Sequence, residues 1–99
     1  MAVIVVEGEL DMNTAPQLER ELQGPVSEPG SPLLIDLSRC EFIDSTGIAL
    51  LVRAWQQLGG SFALCGVSAQ VQRVLDITGL EESMPTHASR EQAIAALRG

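Results

Sequence analysis

Apolar positions along the chain switch between two spacings, and the switching predicts the elements. Ala2, Val3, Ile4, Val5 and Val6 run continuously apolar and mostly β-branched, the pattern of a strand covered on both faces. The polar stretch 7–11 ends it. Ala15, Leu18 and Leu22 then recur at helical spacing, with Glu19, Arg20 and Gln23 on other faces. Asn13 or Thr14 caps this helix, and Thr14 with Gln17 makes a capping box. Gly24 and Pro25 stop it, and 25–32 is a loop by composition. Residues 33–37 form the second strand, with Asp36 expected near its exposed C-terminal end. Ile48, Leu51, Val52, Trp55 and Leu58 share one face of a second helix, and Arg53 and Gln57 lie opposite. Gly59 and Gly60 end that helix. A third strand, 61–66, leads to a third helix capped by Ser68, striped by Val71, Val74 and Leu75, and closed by Gly79. Pro85 restricts any strand within 81–86 to a sheet edge. Ser89 and Gln92 make another capping box, and Ala93, Ile94 and Leu97 give the last helix its buried face.

Strands thus alternate with segments long enough for helices. The expected class is α/β, a small, mostly parallel sheet with packed helices and right-handed crossovers, in one domain over 1–99. No internal repeat or low-complexity tract interrupts it.

The stretch 41–48, Glu-Phe-Ile-Asp-Ser-Thr-Gly-Ile, joins the second strand to the second helix. It places Asp44, Ser45 and Thr46 where a strand-to-helix turn meets solvent. Ser45 or Asp44 is then the N-cap. The hydroxyl there has two readings. One is plain capping chemistry. The other is a modification site, because a phosphate at a helix N-terminus gains backbone donors and brings roughly −1.5 to −2 charges. Leu50 falls opposite the apolar face of its helix, beside this turn. It reads either as a lone exposed leucine or as a partner contact.

Composition narrows the chemistry. A formal charge of −7 over 99 residues argues against nucleic acid or an anionic membrane as direct partner, and favours a soluble monomer or a basic protein partner. Cys40 and Cys65 form no CxxC pair, and Cys65 lies in an apolar run, so a buried thiol in a reduced, cytoplasmic compartment is expected. No signal peptide is evident, and no apolar run approaches the ~18 residues of a membrane span. His87 is the sole histidine, with no ligand cluster near it in sequence, so no metal or cofactor is expected. Ser45, Asp44 or Asp36, and His87 hold the atoms of a serine hydrolase. No G-x-S-x-G elbow accompanies them, and no catalytic residue is assigned.

Three stretches together carry a family resemblance. They are Gly8-Glu9-Leu10-Asp11 with Asn13-Thr14-Ala15; Phe42-Ile43-Asp44-Ser45-Thr46-Gly47-Ile48; and Cys65-Gly66-Val67-Ser68 with Val71, Arg73-Val74-Leu75-Asp76 and Thr78-Gly79-Leu80. In order and spacing the chain resembles the STAS family, specifically the bacterial anti-sigma factor antagonists. The resemblance implies a STAS-like (SpoIIAA-like) fold and phosphorylation at Ser45, with Thr46 second to it. It implies that the unphosphorylated form binds an anti-sigma factor serine kinase of the histidine-kinase-like ATPase fold and frees a sigma factor. Phosphorylation abolishes that binding, and a PP2C-type phosphatase restores it. Asp11, Asp44, Ser45, Thr46, Gly47 and Leu50 are the expected partner surface. The alternative within the family is a STAS subunit of a membrane transport system, of the lipid-trafficking ABC type, that binds its ATPase. One departure stands out. Such proteins carry another strand before the one ending in Gly8-Glu9-Leu10-Asp11, and here it is missing or truncated. An exposed sheet edge follows, and with it a homodimer formed through that edge.

Overall fold

Nine elements follow one another in the computed structural model, which describes residues 1–28, 30–78 and 84–98. They are β1 (Ala2–Leu10), α1 (Ala15–Val26), β2 (Leu33–Ile43), α2 (Ser45–Leu58), a short 3-10 turn (Gly59–Ser61), β3 (Phe62–Cys65), α3 (Ala69–Thr78), β4 (Thr86–His87) and α4 (Arg90–Arg98). The four strands lie in the order β1-β2-β3-β4, and every neighbouring pair is parallel. The α/β expectation therefore holds.

Strand alternation divides the core. Leu33, Ile35 and Leu37 of β2 and Phe62 and Leu64 of β3 pack with Leu18 and Leu22 of α1, Leu51 and Ala54 of α2, and Val71 and Leu75 of α3. Leu34, Ala63 and Cys65 point the other way and are covered by Ala93, Ile94 and Leu97 of α4. Each fully buried aliphatic side chain contributes about 1.5–3 kcal/mol.

β1 departs from the expected two-sided burial. Val6 and Leu10 are buried, but Val3 and Val5 are 40% and 41% exposed. The reason is its place at the edge. α4 packs over β3 and β2 and leaves the outer face of β1 open. A continuous apolar run therefore marks a strand with only one covered face here.

β2 extends beyond 33–37 to Ile43, and its added length pairs with the second half of β1. The register slips between Val5 and Glu7 and between Gly8 and Glu9, and Gly8 takes a φ of 75°, open to glycine without strain. Asp36 is not at an exposed end. It is 7% exposed in mid-strand, where Oδ1 accepts the Ser38 N–H at 2.9 Å and Oδ2 meets the Arg90 guanidinium at 2.7 Å. That pair ties α4 to the sheet. Burial pushes the Asp36 carboxyl upward, but the Ser38 hydrogen bonds and Arg90 outweigh it and hold it below the ordinary value.

α1 runs through Gly24 and Pro25 to Val26 instead of stopping there. In the last turn a proline forfeits only its own N–H, and the Ser27 N–H closes the end on the Gly24 carbonyl at 3.2 Å. Ser68 and Ser89 cap as expected: each Oγ accepts an N–H three residues on, from Val71 at 3.3 Å and Gln92 at 3.2 Å. β4 follows Pro85 at the far edge of the sheet. The expected stop at Gly79 lies outside the described residues.

Candidate functional site

Two turns meet where β1 and β2 reach their C-terminal ends. The first, after β1, is organised by Asp11. Its Oδ1 accepts the N–H groups of Asn13 at 2.9 Å and Thr14 at 3.1 Å, an Asx turn that does the work of a cap. Thr14 occupies the N-cap position of α1 but makes no side-chain cap bond, so the expected Thr14–Gln17 box does not form. A closer partner takes its hydroxyl instead. Thr14 Oγ1 donates to the Glu9 carbonyl at 2.7 Å and accepts the Asp11 N–H at 3.0 Å, latching the helix start back onto the strand end.

The second turn, after β2, resolves the capping alternative in favour of Asp44. Its backbone is extended (φ −109°, ψ −175°), and its Oδ1 accepts the Gly47 N–H at 3.1 Å. Ser45 is consequently the first residue of α2 and Thr46 the second, both exposed. Among the described residues the Ser45 hydroxyl has no hydrogen-bond partner, and neither do the backbone N–H groups of Ser45 and Thr46. A free hydroxyl thus stands over two free donors at the positive end of a 14-residue helix.

The turns are fastened together. The Asp44 N–H donates to the Leu10 carbonyl at 3.1 Å. A Cβ built on Gly47 would lie 2.7 Å from Leu10 Cγ and 2.9 Å from Ile43 Cγ1, so only glycine lets the first turn of α2 come this close to the strand ends. Asp11, Asp44, Ser45 and Thr46 are therefore brought to one end of the sheet with solvent access.

Two expected members of the partner surface are buried within the chain itself. Gly47 is buried against Leu10 and Ile43, and its part is the close approach itself. Leu50 is 4% exposed, not an open leucine. α2 is covered on two sides, by the sheet and by α1, and Leu50 joins Leu22 and Val26 on the α1 side. Phe42 and Met12, which periodicity did not single out, are 48% and 71% exposed beside the two turns. Alternation carries the signal for Phe42: with Ile43 facing the core, its neighbour must face out.

The Ser45–His87 pair of a hydrolase is not assembled. His87 lies in β4, in register with Cys65 and through it with Asp36, two strands across from β2. Seven residues of β2 separate that level from its end, which puts His87 on the order of 20 Å from Ser45. No metal-binding cluster occurs among the described residues, and no described helix is long and apolar enough to cross a membrane. Cys40 and Cys65 are buried free thiols whose pKa burial pushes up, which makes them poor nucleophiles.

Comparison with known proteins shows the family and the fold. The STAS domain family model matches residues 1–93. The anti-sigma-B factor antagonist of Bacillus subtilis is 34% identical over 92 residues, which are 90% of this chain and 84% of that protein. An anti-sigma factor antagonist from Mycobacterium paratuberculosis superposes with a TM-score of 0.87 at 34% identity, covering 98% of this chain and 85% of that one. SpoIIAA in its unphosphorylated form superposes with a TM-score of 0.79 at 27% identity, covering 98% and 87%. Bacillus SpoIIAA in its phosphorylated form gives 0.69 at 26%, covering 97% and 89%.

Proposed function

The chain belongs to the STAS domain family, and from that footing we propose that it is an anti-sigma factor antagonist switched by phosphorylation at Ser45. Unmodified, it binds an anti-sigma factor kinase and frees a sigma factor. In the modifying step the Ser45 Oγ attacks the γ-phosphorus of the kinase's ATP. ADP leaves, and the hydroxyl proton passes to a base on the kinase. A PP2C-type phosphatase hydrolyses the ester and resets the switch.

One observation carries the reading. Ser45 is exposed at the first position of α2, its hydroxyl unengaged, while Asp44 does the capping. A serine needed as the cap would lose structure when modified, and this one is free of that duty. Phosphate oxygens at this position gain the free N–H groups of Ser45 and Thr46 in the isolated protein. Against a partner the same phosphate adds charge beside Asp11 and Asp44. Burying it without matching cations costs several kcal/mol, and each ~1.4 kcal/mol is tenfold in affinity. Asp11, Asp44, Ser45 and Thr46 form the contact surface.

The test is incubation with the purified anti-sigma kinase and ATP, followed by mass mapping. A single phosphate on Ser45, absent in Ser45→Ala, is the expected result. Equal labelling of Ser45→Ala defeats the assignment. Ser45→Asp is expected to lose at least tenfold in affinity while melting no lower than the parent, since a carboxylate in the first turn is favoured by about 0.3–1 kcal/mol. The open edge of β1 also supports self-pairing of two copies, and a monomeric mass by light scattering at high concentration counts against it.

A further inference from the structure

The end of the sheet that carries Ser45 also carries the exposed apolar side chains of Met12 and Phe42. Met12, 71% exposed, stands between Asp11 and Asn13 in the first turn. Phe42, 48% exposed, lies three residues before Ser45, so the two Cα atoms are within about 11 Å. Phe42 pairs in register with Glu9 and lines an open groove of about 540 Å³ together with Glu9, Glu41, Val74 and Arg73. Arg73, on α3, is the one cation of that groove. Glu9 and Glu41 line the groove beside Phe42, Asp11 is the chain neighbour of Met12, and Asp44 follows Phe42 by two residues.

We propose that Met12 and Phe42 are apolar anchors of the partner interface, one in each turn, and that the partner receives them in apolar pockets rimmed by Arg or Lys. The inference rests on the reading of Ser45 as the switch and adds which side chains carry the affinity. Three features favour a protein partner of that chemistry. Large exposed side chains ringed by charge match the anchor-and-rim anatomy of interfaces that discriminate among partners. Among the described residues none of Glu9, Asp11, Glu41 and Asp44 is in an ion pair: Arg39 pairs with Glu7 and Arg90 with Asp36, and Arg73 is the single cation lining the groove. The rigid fastening of the two turns presents both anchors at little ordering cost.

The experiment is titration calorimetry against the purified anti-sigma factor kinase. Met12→Ala and Phe42→Ala are each expected to weaken binding at least tenfold, and Glu41→Arg comparably. Melting of Met12→Ala should be unchanged. Val3→Ala, an apolar truncation at a side chain 40% exposed on the outer face of β1, should bind like the parent. Should Phe42→Ala prove unfolded, Met12→Ala and Glu41→Arg decide the matter. If these variants bind like the parent while Ser45→Asp loses binding, the anchors are wrong and the switch stands. If Val3→Ala weakens binding as much as they do, the assignment to these two side chains is also wrong. If the parent neither binds the kinase nor is phosphorylated by it, both readings fall.

Discussion

Gly47→Ala tests the fastening of the two turns. The added Cβ would sit 2.7 Å from Leu10 Cγ, 2.9 Å from Ile43 Cγ1 and 2.9 Å from Leu10 Cδ2. Restoring an ordinary 3.4 Å contact from 2.7 Å needs a shift of about 0.7 Å at the start of α2. Leu10 and Ile43 are each 1% exposed and have nowhere to yield. Overpacking of this kind costs about 1–3 kcal/mol. Alanine's better helix propensity returns up to ~1 kcal/mol, and less this close to the N-terminus. The net expectation is about 1–2 kcal/mol of lost stability. In a domain of this size that lowers Tm by roughly 4–15 °C. Gly60→Ala is the control, since a Cβ there meets nothing within 4 Å. Thermal melts followed by circular dichroism on both variants supply the comparison. Amide exchange at Asp44, whose N–H bonds the Leu10 carbonyl, reports the joint directly. A Gly47→Ala melt at or above the parent's would mean that α2 slides freely on β1 and that the turns are not fixed to one another.

Two further predictions follow from the same contacts. Asp44→Ala removes the cap of α2 and leaves the Gly47 N–H without its acceptor, for a loss of about 1 kcal/mol in urea denaturation. Asp44→Asn should recover most of it, and an unchanged midpoint in the alanine variant would refute the capping role. Asp36 gives a pH dependence whose sign is set by its lowered carboxyl. A depressed carboxylate contributes stability above its unfolded value of ~3.9 and loses it as pH falls through the folded value. The stability gap between the parent and Asp36→Asn should therefore be largest near neutrality and shrink below about pH 4. A gap that widens with acid would contradict the ion pair with Arg90.

Local signals were legible in the sequence, and contacts between distant segments were not. Ser68 and Ser89 announce their caps because donor and acceptor are three residues apart. The turn at 44–46 is legible for the same reason. Asp36 was misplaced because its partner lies 54 residues along the chain. An apolar run such as Ala2 to Val6 looks alike in a central and an edge strand, and only the position of α4 leaves Val3 and Val5 open. Leu50 was misread because a helical wheel assumes one covered side, whereas α2 has the sheet on one side and α1 on another. Thr14 was misread because a capping box competes with any nearer acceptor, and the Glu9 carbonyl wins at 2.7 Å.

Rigidity at this end of the sheet bears on how the proposed switch would work. The Leu10–Asp44 hydrogen bond, the glycine contact at Gly47 and the Thr14 latch hold both turns without help from the Ser45 side chain. Phosphorylation therefore has no internal bond to break at Ser45, and it has free backbone donors to satisfy it. On the proposed reading its effect on the isolated domain is small, and no second conformation is required. In the proposed complex the balance would reverse. On the proposed reading, a partner would strip water from an end already bearing Glu9, Asp11, Glu41 and Asp44, and a phosphate would bring about two more negative charges into that contact. The free-energy difference would then fall on the bound state, and affinity would change without a change of fold.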